Sequence, residues 1–215
     1  MASKKEIVEQ EEIADFMLVE YATLRVFRQD LLTLGENRLN FFLAAVSGAI
    51  VGLALLNQIP GHEEMVSSVS GIIIMSLLFI GLITFARMIE RSIGVVIYTR
   101  GINCIRRWFA EQSPSIKEYL VLPMSDEEPT FRATGFLSKG TSSLGLPEVV
   151  AVVNSSIAGI GAAILAGESL GLQIGWVCVL GGSVFLVALL LQNIYHVVRT
   201  REAERKMVIR FPTGG

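Results

Sequence analysis

Charged and apolar positions fall into long blocks along the chain, and four of these blocks contain no Asp, Glu, Lys or Arg. The four charge-free blocks are residues 39–62, 65–86, 149–167 and 169–198. An α-helix rises about 1.5 Å per residue, so roughly 20 apolar residues cross the hydrocarbon core of a bilayer. The pattern therefore predicts an all-α membrane protein with four transmembrane helices. We place these spans near residues 40–58, 69–87, 148–166 and 172–194.

Helical periodicity continues outside the first two spans. Before the first span, apolar residues recur every three or four positions from Ile13 to Leu34, which predicts an amphipathic helix. After the second span, no proline interrupts residues 88–112, and Pro114 ends the helical pattern. We expect spans one and two to form a hairpin with long cytoplasmic helical extensions, and spans three and four to form a second hairpin.

The segment between the two hairpins has a different composition. Residues 113–147 hold four of the chain's six prolines and the acidic run SDEE, which is typical of a loop. We therefore divide the chain into five parts. These are a cytoplasmic amphipathic helix (1–38), the first transmembrane hairpin with its cytoplasmic extension (39–112), a cytoplasmic linker (113–147), the second transmembrane hairpin (148–198) and a basic cytoplasmic tail (199–215).

Composition and charge agree with a membrane protein. The chain is 52% hydrophobic and 18% charged, with a mean hydropathy of +0.56. All 18 lysines and arginines lie before the first span, between the second and third, or after the fourth, and the loops 57–68 and 167–172 hold none. By the positive-inside rule, both termini are cytoplasmic in a multi-pass protein of the cell (inner) membrane. The first 35 residues lack the features of a signal peptide, so we expect that they are not cleaved from the chain.

Candidate chemistry is sparse in this sequence. No charged residue falls in the apolar centre of a span, which argues against coupled transporters, proton pumps and voltage sensors. The sequence contains no recognisable nucleophile, zinc-protease or phosphate-loop motif, and no metal-ligand spacing. We therefore expect no enzymatic activity, no metal and no cofactor. Cys104 and Cys178 fall in different environments, so we expect no disulfide between them.

Small residues recur at four-residue spacing within the spans. The candidates for packing between subunits are Gly48, Gly52, Gly159, Ala163, Gly171 and Gly175. Such stripes let helix backbones approach closely in lipid, where dispersion forces drive helix association. Packing within one four-helix subunit is the simpler explanation, and both kinds of packing can occur together.

Asn154, Ser155 and Ser156 form the most polar patch in any predicted span. One interpretation is that they hydrogen-bond to neighbouring helices or to their own backbone. The other is that they line a water-filled axis, since a pore requires a polar lining without requiring charge.

Arg100, Arg106 and Arg107 lie on the predicted extension of span two, in the sequence YTRGINCIRRWF. Arg100 and Arg107 form a polar stripe with Asn103 and Glu111. The arginines can flank the inner membrane face and attract anionic lipid. Alternatively, they contact a phosphate-bearing cytoplasmic ligand or a soluble protein partner.

The layout of YATLRVFRQDLLTLGENRLNFFLAAVSGAIVGLALL, in which a cytoplasmic helix runs through NRLNFF into a span, resembles that of small bacterial membrane proteins associated with antiphage systems. These include multi-pass effectors linked to nucleotide signalling and accessory membrane proteins of CRISPR loci. The resemblance covers roughly residues 10 to 110. It implies a membrane part that oligomerises and, when triggered, disturbs the membrane.

Two functional hypotheses follow from these features. The first is a homo-oligomeric inner-membrane protein that acts as a pore-forming or membrane-perturbing effector, with antiphage defence as the role that the resemblance implies. The alternative is a non-conducting scaffold or sensor that recruits a soluble cytoplasmic partner. In both hypotheses the expected partners are further copies of the chain, anionic lipid, and a soluble protein or a phosphate-bearing ligand, and no nucleic-acid partner is expected.

Overall fold

The computed structural model describes residues 4–60, 63–131 and 145–211, and the regular structure of these residues is entirely helical. Parts of the predicted linker and tail lie outside the described residues. The helices are α1 (Lys4–Leu56), α2 (Glu63–Gln112), α3 (Leu146–Leu170) and α4 (Ile174–Lys206), with a short 3₁₀ helix at Pro114–Tyr119. All four α-helices contain a stretch long and apolar enough to cross a membrane. The predicted all-helical class and the four apolar helices are therefore confirmed.

Helices α1 and α2 are far longer than a bilayer requires. They contain 53 and 50 residues, which correspond to about 80 Å and 75 Å of helix. A hydrocarbon core of about 30 Å covers less than half of either length. Helix α1 continues without interruption through Gly35 and Arg38, so the predicted amphipathic helix and the first apolar stretch are one rod.

The extensions of α1 and α2 pack side by side in opposite chain directions. A Cβ atom added at Gly94 would lie 2.7 Å from Leu31, and one at Gly101 would lie 3.2 Å from Leu24. The guanidinium of Arg91 donates a hydrogen bond to the carbonyl of Leu34 across 2.6 Å. Residue numbers at the contacts increase along α2 as they decrease along α1, so the two helices are antiparallel.

Helices α3 and α4 approach each other closely at Gly159 and Gly181. A Cβ atom at Gly159 would lie 2.7 Å from the carbonyl oxygen of Gly181, and one at Gly181 would lie 3.0 Å from Ala163. Small residues permit this approach, and it yields dispersion contacts along both helices. Helix α3 also contacts α2. The buried apolar core where α1, α2 and α3 meet includes Phe42, Phe85, Met88, Ile89 and Val150.

The ends of α3 follow local sequence signals. The helix begins at Leu146 with Pro147 in its first turn, a position where the missing N–H costs no intrahelical hydrogen bond. It is followed by Gly171, which has φ +58° and the left-handed conformation that glycine adopts without steric cost. A three-residue connection then leads into α4.

Candidate functional site

A clamp on α2, formed by Arg100 and Asn103, holds the segment 125–131 against the helix. Arg100 is only 2% exposed. Its Nε donates to the carbonyl of Pro129 across 3.1 Å, and its Nη2 donates to the carbonyl of Glu127 across 3.2 Å. Nε and Nη2 are thus matched to acceptors, whereas Nη1 is buried without a hydrogen-bond partner in the described structure.

The charge of Arg100 is balanced from α4. Its Nη2 lies 3.0 Å from Oε1 of Glu204, whose side chain is 36% exposed. The other carboxylate oxygen of Glu204 accepts a hydrogen bond from the backbone N–H of Phe131 across 3.4 Å. The guanidinium carbon of Arg100 also lies 4.7 Å from the centroid of the Phe131 ring, within cation–π distance. Arg100 therefore connects α2, the linker segment and the end of α4.

Asn103 provides the second half of the clamp, one turn further along α2. Its Nδ2 donates to the carbonyls of Ser125 and Glu128 across 3.1 Å and 2.9 Å. The side chain is 2% exposed, so an amide replaced by an apolar group would leave two buried carbonyls without a donor. The polar stripe predicted on α2 thus serves in part to bind the chain's own linker.

Asp126 extends this contact to the C-terminal segment. Its two carboxylate oxygens accept hydrogen bonds from the backbone N–H groups of Arg210 and Phe211 across 2.7 Å and 2.9 Å. The Phe211 ring lies 4.8 Å from the guanidinium carbon of Arg107, whose Nε pairs with Glu111 at 2.9 Å. We call the assembly of Arg100, Asn103, segment 125–131, Glu204 and residues 210–211 the latch.

Asn154 and Ser155 lie in a buried polar cluster between α3 and α4. Asn154 is 1% exposed and donates to Oε1 of Gln192 across 3.2 Å. The amide nitrogen of Gln192 donates in turn to the hydroxyl of Ser155 across 3.1 Å. Gly81 on α2 makes room for this cluster, because a Cβ atom there would overlap Oδ1 of Asn154. Ser156 instead donates to the carbonyl of Val152 in its own helix.

The predicted packing residues fall into two groups. Gly159 and Ala163 face α4 within the chain. A Cβ atom added at any residue of the other group would meet no described neighbour within 4 Å. This second group consists of Gly48, Gly52, Gly171 and Gly175.

The three predicted arginines have three different environments. Arg100 belongs to the latch, and Arg107 pairs with Glu111 beside Phe211. Arg106 points toward α1, where its Nη2 donates to the hydroxyl of Tyr21 across 3.3 Å. It also lines a cavity between the two extensions. The arginines are therefore not a single binding cluster.

No family model, curated protein or solved structure matches the chain. Among the described residues, no three or more His, Cys, Asp or Glu side chains are grouped as metal ligands would be.

Glu148 and His196 form a buried contact that the sequence pattern does not single out. Nδ1 of His196 lies 3.5 Å from Oε1 of Glu148, and both side chains are at most 5% exposed. The pair borders an apolar cavity of about 170 Å³ lined also by Phe85 and Leu189. The two residues are 48 positions apart in sequence and lie on different helices, so no periodicity relates them.

Proposed function

We propose that the protein is a homo-oligomeric inner-membrane protein that forms a pore or otherwise perturbs the membrane when its copies assemble. The observation that carries this proposal is a row of apolar residues and two glycines along one face of α1, without a packing partner among the described residues. We call it the open face of α1. It consists of Phe16, Val19, Leu34, Phe41, Gly48, Gly52 and Leu55.

The open face follows helical geometry along nearly the whole rod. At 100° per residue, its members lie within about 60° of one line on the helix surface. Phe16 is 68% exposed, Val19 is 67% exposed and Phe41 is 74% exposed. Asp30 and Asn37 lie on the same side of the helix and divide the face into an N-terminal part with Phe16 and Val19 and a second part from Phe41 to Leu55. Exposed apolar patches of this kind are typical of interaction sites.

Lipid covers only part of the open face in the topology that we propose. Phe16 precedes the first charge-free block by 23 residues, which corresponds to about 35 Å of helix. The polar headgroup region adds only about 5–8 Å on each side of the hydrocarbon core. Phe16 and Val19 would therefore face water in a monomer, and burial against protein is the favourable alternative.

A second copy of the chain suits both halves of the open face. Gly48 and Gly52 allow close backbone approach within the membrane, and Phe16 and Val19 supply an apolar seam outside it. Because one face carries both features, the same surface of another copy can pack on it in register. Asn154 and Ser155 are buried inside the chain, so in this proposal conduction follows the surfaces between copies.

The proposed topology places two helical hairpins in the membrane and the long ends of α1 and α2 in the cytoplasm. All lysines and arginines of the chain then lie on the cytoplasmic side. The layout around NRLNFF supports extending the proposal to antiphage defence. Cells that express the chain should then survive phage challenge better than cells that express the F16E/V19E variant.

Ion flux and oligomeric state, measured on the same samples, test the proposal. Vesicles reconstituted with the full chain should leak ions, and the solubilised protein should have a mass of several copies. The double variant F16E/V19E places charges on the open face and should reduce both mass and flux. The matched control I116E/V121E changes two exposed apolar residues outside that face and should preserve both. A monomeric wild-type protein, or vesicles that remain tight to ions, would refute the proposal.

A scaffold that recruits a soluble partner is the second candidate, and a specific exposed segment favours it. Tyr119 is 80% exposed and Val121 is 95% exposed. Both residues follow the end of the α2 extension. In the proposed topology these apolar side chains lie far from lipid. A photoreactive residue at Val121 should then crosslink a protein other than the chain itself, and I116E/V121E should abolish that capture.

A further inference from the structure

A cavity between the extensions of α1 and α2 has the charge and size of a ligand site. Its volume is about 290 Å³, at the lower end of the range of roughly 300–1,000 Å³ for small-molecule sites. Arg25 and Arg28 of α1 and Arg106 of α2 line it. Glu128 contributes the acidic side chain among the described lining residues, so cations outnumber anions at the cavity wall.

The three arginines are available to a ligand. The guanidinium carbons of Arg25 and Arg106 each lie 5.8 Å from the centroid of the Tyr21 ring, so the two cations share one aromatic residue. The Nε of Arg28 is buried without a hydrogen-bond partner in the described structure. Within the described part of the chain, no carboxylate lies within salt-bridge distance of Arg25, Arg28 or Arg106.

The surroundings of Arg106 orient it toward the cavity. Nδ2 of Asn103 is bound to the linker carbonyls, which leaves its Oδ1 to accept a hydrogen bond from Nη1 of Arg106 across 3.5 Å. The hydroxyl of Tyr21 accepts from Nη2 across 3.3 Å. Two neutral acceptors hold the guanidinium without neutralising its charge.

We propose that this cavity binds an organic phosphate. Guanidinium groups present paired N–H donors that match the oxygens of a phosphate group, and three of them favour a multiply charged anion. The rest of the wall includes Ile102, Leu122 and Pro123, which offer apolar surface to the carbon part of the ligand. The sequence pointed to Arg100, Arg106 and Arg107 on α2 as a possible ligand contact. The cavity instead combines Arg106 with Arg25 and Arg28 of α1.

The same phosphate chemistry occurs in soluble compounds and in lipid headgroups, and distance favours the soluble source. Arg28 precedes the first charge-free block by 11 residues, and Arg106 follows the second by 20. These separations correspond to about 16 Å and 30 Å of helix. Both exceed the headgroup layer of about 5–8 Å. The inference does not require oligomerisation, so it can hold or fail independently of pore formation.

Calorimetric titration of the full chain in nanodiscs of zwitterionic lipid tests the site. Phenyl phosphate, which combines a phosphate with an apolar ring, should bind saturably and more tightly than inorganic phosphate. In R25Q/R28Q the affinity for phenyl phosphate should fall by at least about tenfold. The matched control R201Q/R205Q, which removes two arginines from the exposed end of α4, should bind as the wild type does.

A second arm of the experiment distinguishes the two sources of phosphate. Adding phosphatidic acid to the nanodiscs should leave phenyl phosphate binding unchanged if the ligand is soluble. If phosphatidic acid instead competes with phenyl phosphate in the wild type, and does not compete in R25Q/R28Q, the site binds a lipid headgroup. That result would overturn the assignment to a soluble ligand. Absence of saturable phenyl phosphate binding, or equal affinities in wild type and R25Q/R28Q, would overturn the site itself. F16E/V19E, measured in the same assay, should bind phenyl phosphate as the wild type does. This measurement separates phosphate binding from oligomerisation.

Discussion

Arg100 is a buried cation held by two backbone carbonyls and one carboxylate, and this arrangement makes its removal costly. The substitution Arg100→Met keeps most of the side-chain volume but leaves the carbonyls of Glu127 and Pro129 and the carboxylate of Glu204 without their donor. Breaking a buried ion pair by removing one partner costs about 3–5 kcal/mol. We expect the lower end of this range, because Glu204 is 36% exposed.

The loss of stability should be local to the latch. Hydrogen exchange of segment 125–131 should accelerate in Arg100→Met, while exchange in the apolar parts of α3 and α4 stays the same. Glu204→Gln should have a smaller effect, because the amide oxygen still accepts from Arg100. Unchanged exchange of the segment in Arg100→Met would show that the latch does not depend on this residue.

The substitution Gly81→Ala tests the buried polar cluster by adding a single methyl group beside it. In Gly81→Ala, the new methyl group would overlap Oδ1 of Asn154 and lie 3.1 Å from Phe42. Relief requires Asn154 to rotate away from Gln192, so we expect a destabilisation of about 1–3 kcal/mol. Unfolding in mixed micelles measures this change. The control Gly71→Ala lies on the same helix, has no described neighbour within 4 Å, and should be neutral or stabilising.

Individual residues differ in how far the sequence predicts their roles. The polarity of Asn154 within an apolar stretch left two interpretations open, a hydrogen bond to a neighbouring helix or a water-filled axis. In the structure its amide donates to Gln192, 38 residues away. The polar stripe on α2 identified Arg100, but its carbonyl acceptors come from an irregular segment without periodicity. Identifying both ends of such contacts requires the folded chain.

At the scale of elements, Asp126 attaches the C-terminal segment to the linker through two backbone N–H groups. Asp126→Ala removes both acceptors and should release residues 210–211 from the latch. Hydrogen bonds to charged groups contribute about 1.5–3 kcal/mol each, so cleavage by trypsin after Arg210 should become at least several times faster. The control Glu118→Ala removes an acidic side chain from the exposed 3₁₀ helix. Equal cleavage rates in wild type and Asp126→Ala would contradict the attachment.

Helices were predictable because their signals are repeated many times. Apolar spacing from Ile13 to Leu34 and the absence of proline from 88 to 112 each persist over several turns, and both segments are helical. The linker offers no comparable repetition, so its docking on Arg100 and Asn103 depends on single hydrogen bonds. Nor does periodicity reveal which faces of α1 contact α2 and which remain open.

At the scale of the whole molecule, the distribution of charge predicts which ends of the helices face the cytoplasm. Single cysteines in a C104A/C178A background test this with a membrane-impermeant maleimide. Gln112→Cys lies at the end of the α2 extension and should react only in inside-out vesicles. Gln58→Cys lies beyond the end of α1 and should react only in right-side-out vesicles. Both positions are exposed, so burial within the chain does not limit their labelling.

A third cysteine distinguishes a lipid-facing surface from a water-facing one. Leu190 is 56% exposed in the isolated chain and lies in the fourth charge-free block. Because a thiol in hydrocarbon stays protonated and the maleimide does not enter the bilayer, Leu190→Cys should react from neither side. Labelling of Leu190→Cys from one side would mean that α4 borders water, either in a conducting assembly or outside a membrane. Labelling of Gln112→Cys and Gln58→Cys from the same side would refute the topology, since the α1 and α2 extensions would no longer share the cytoplasm.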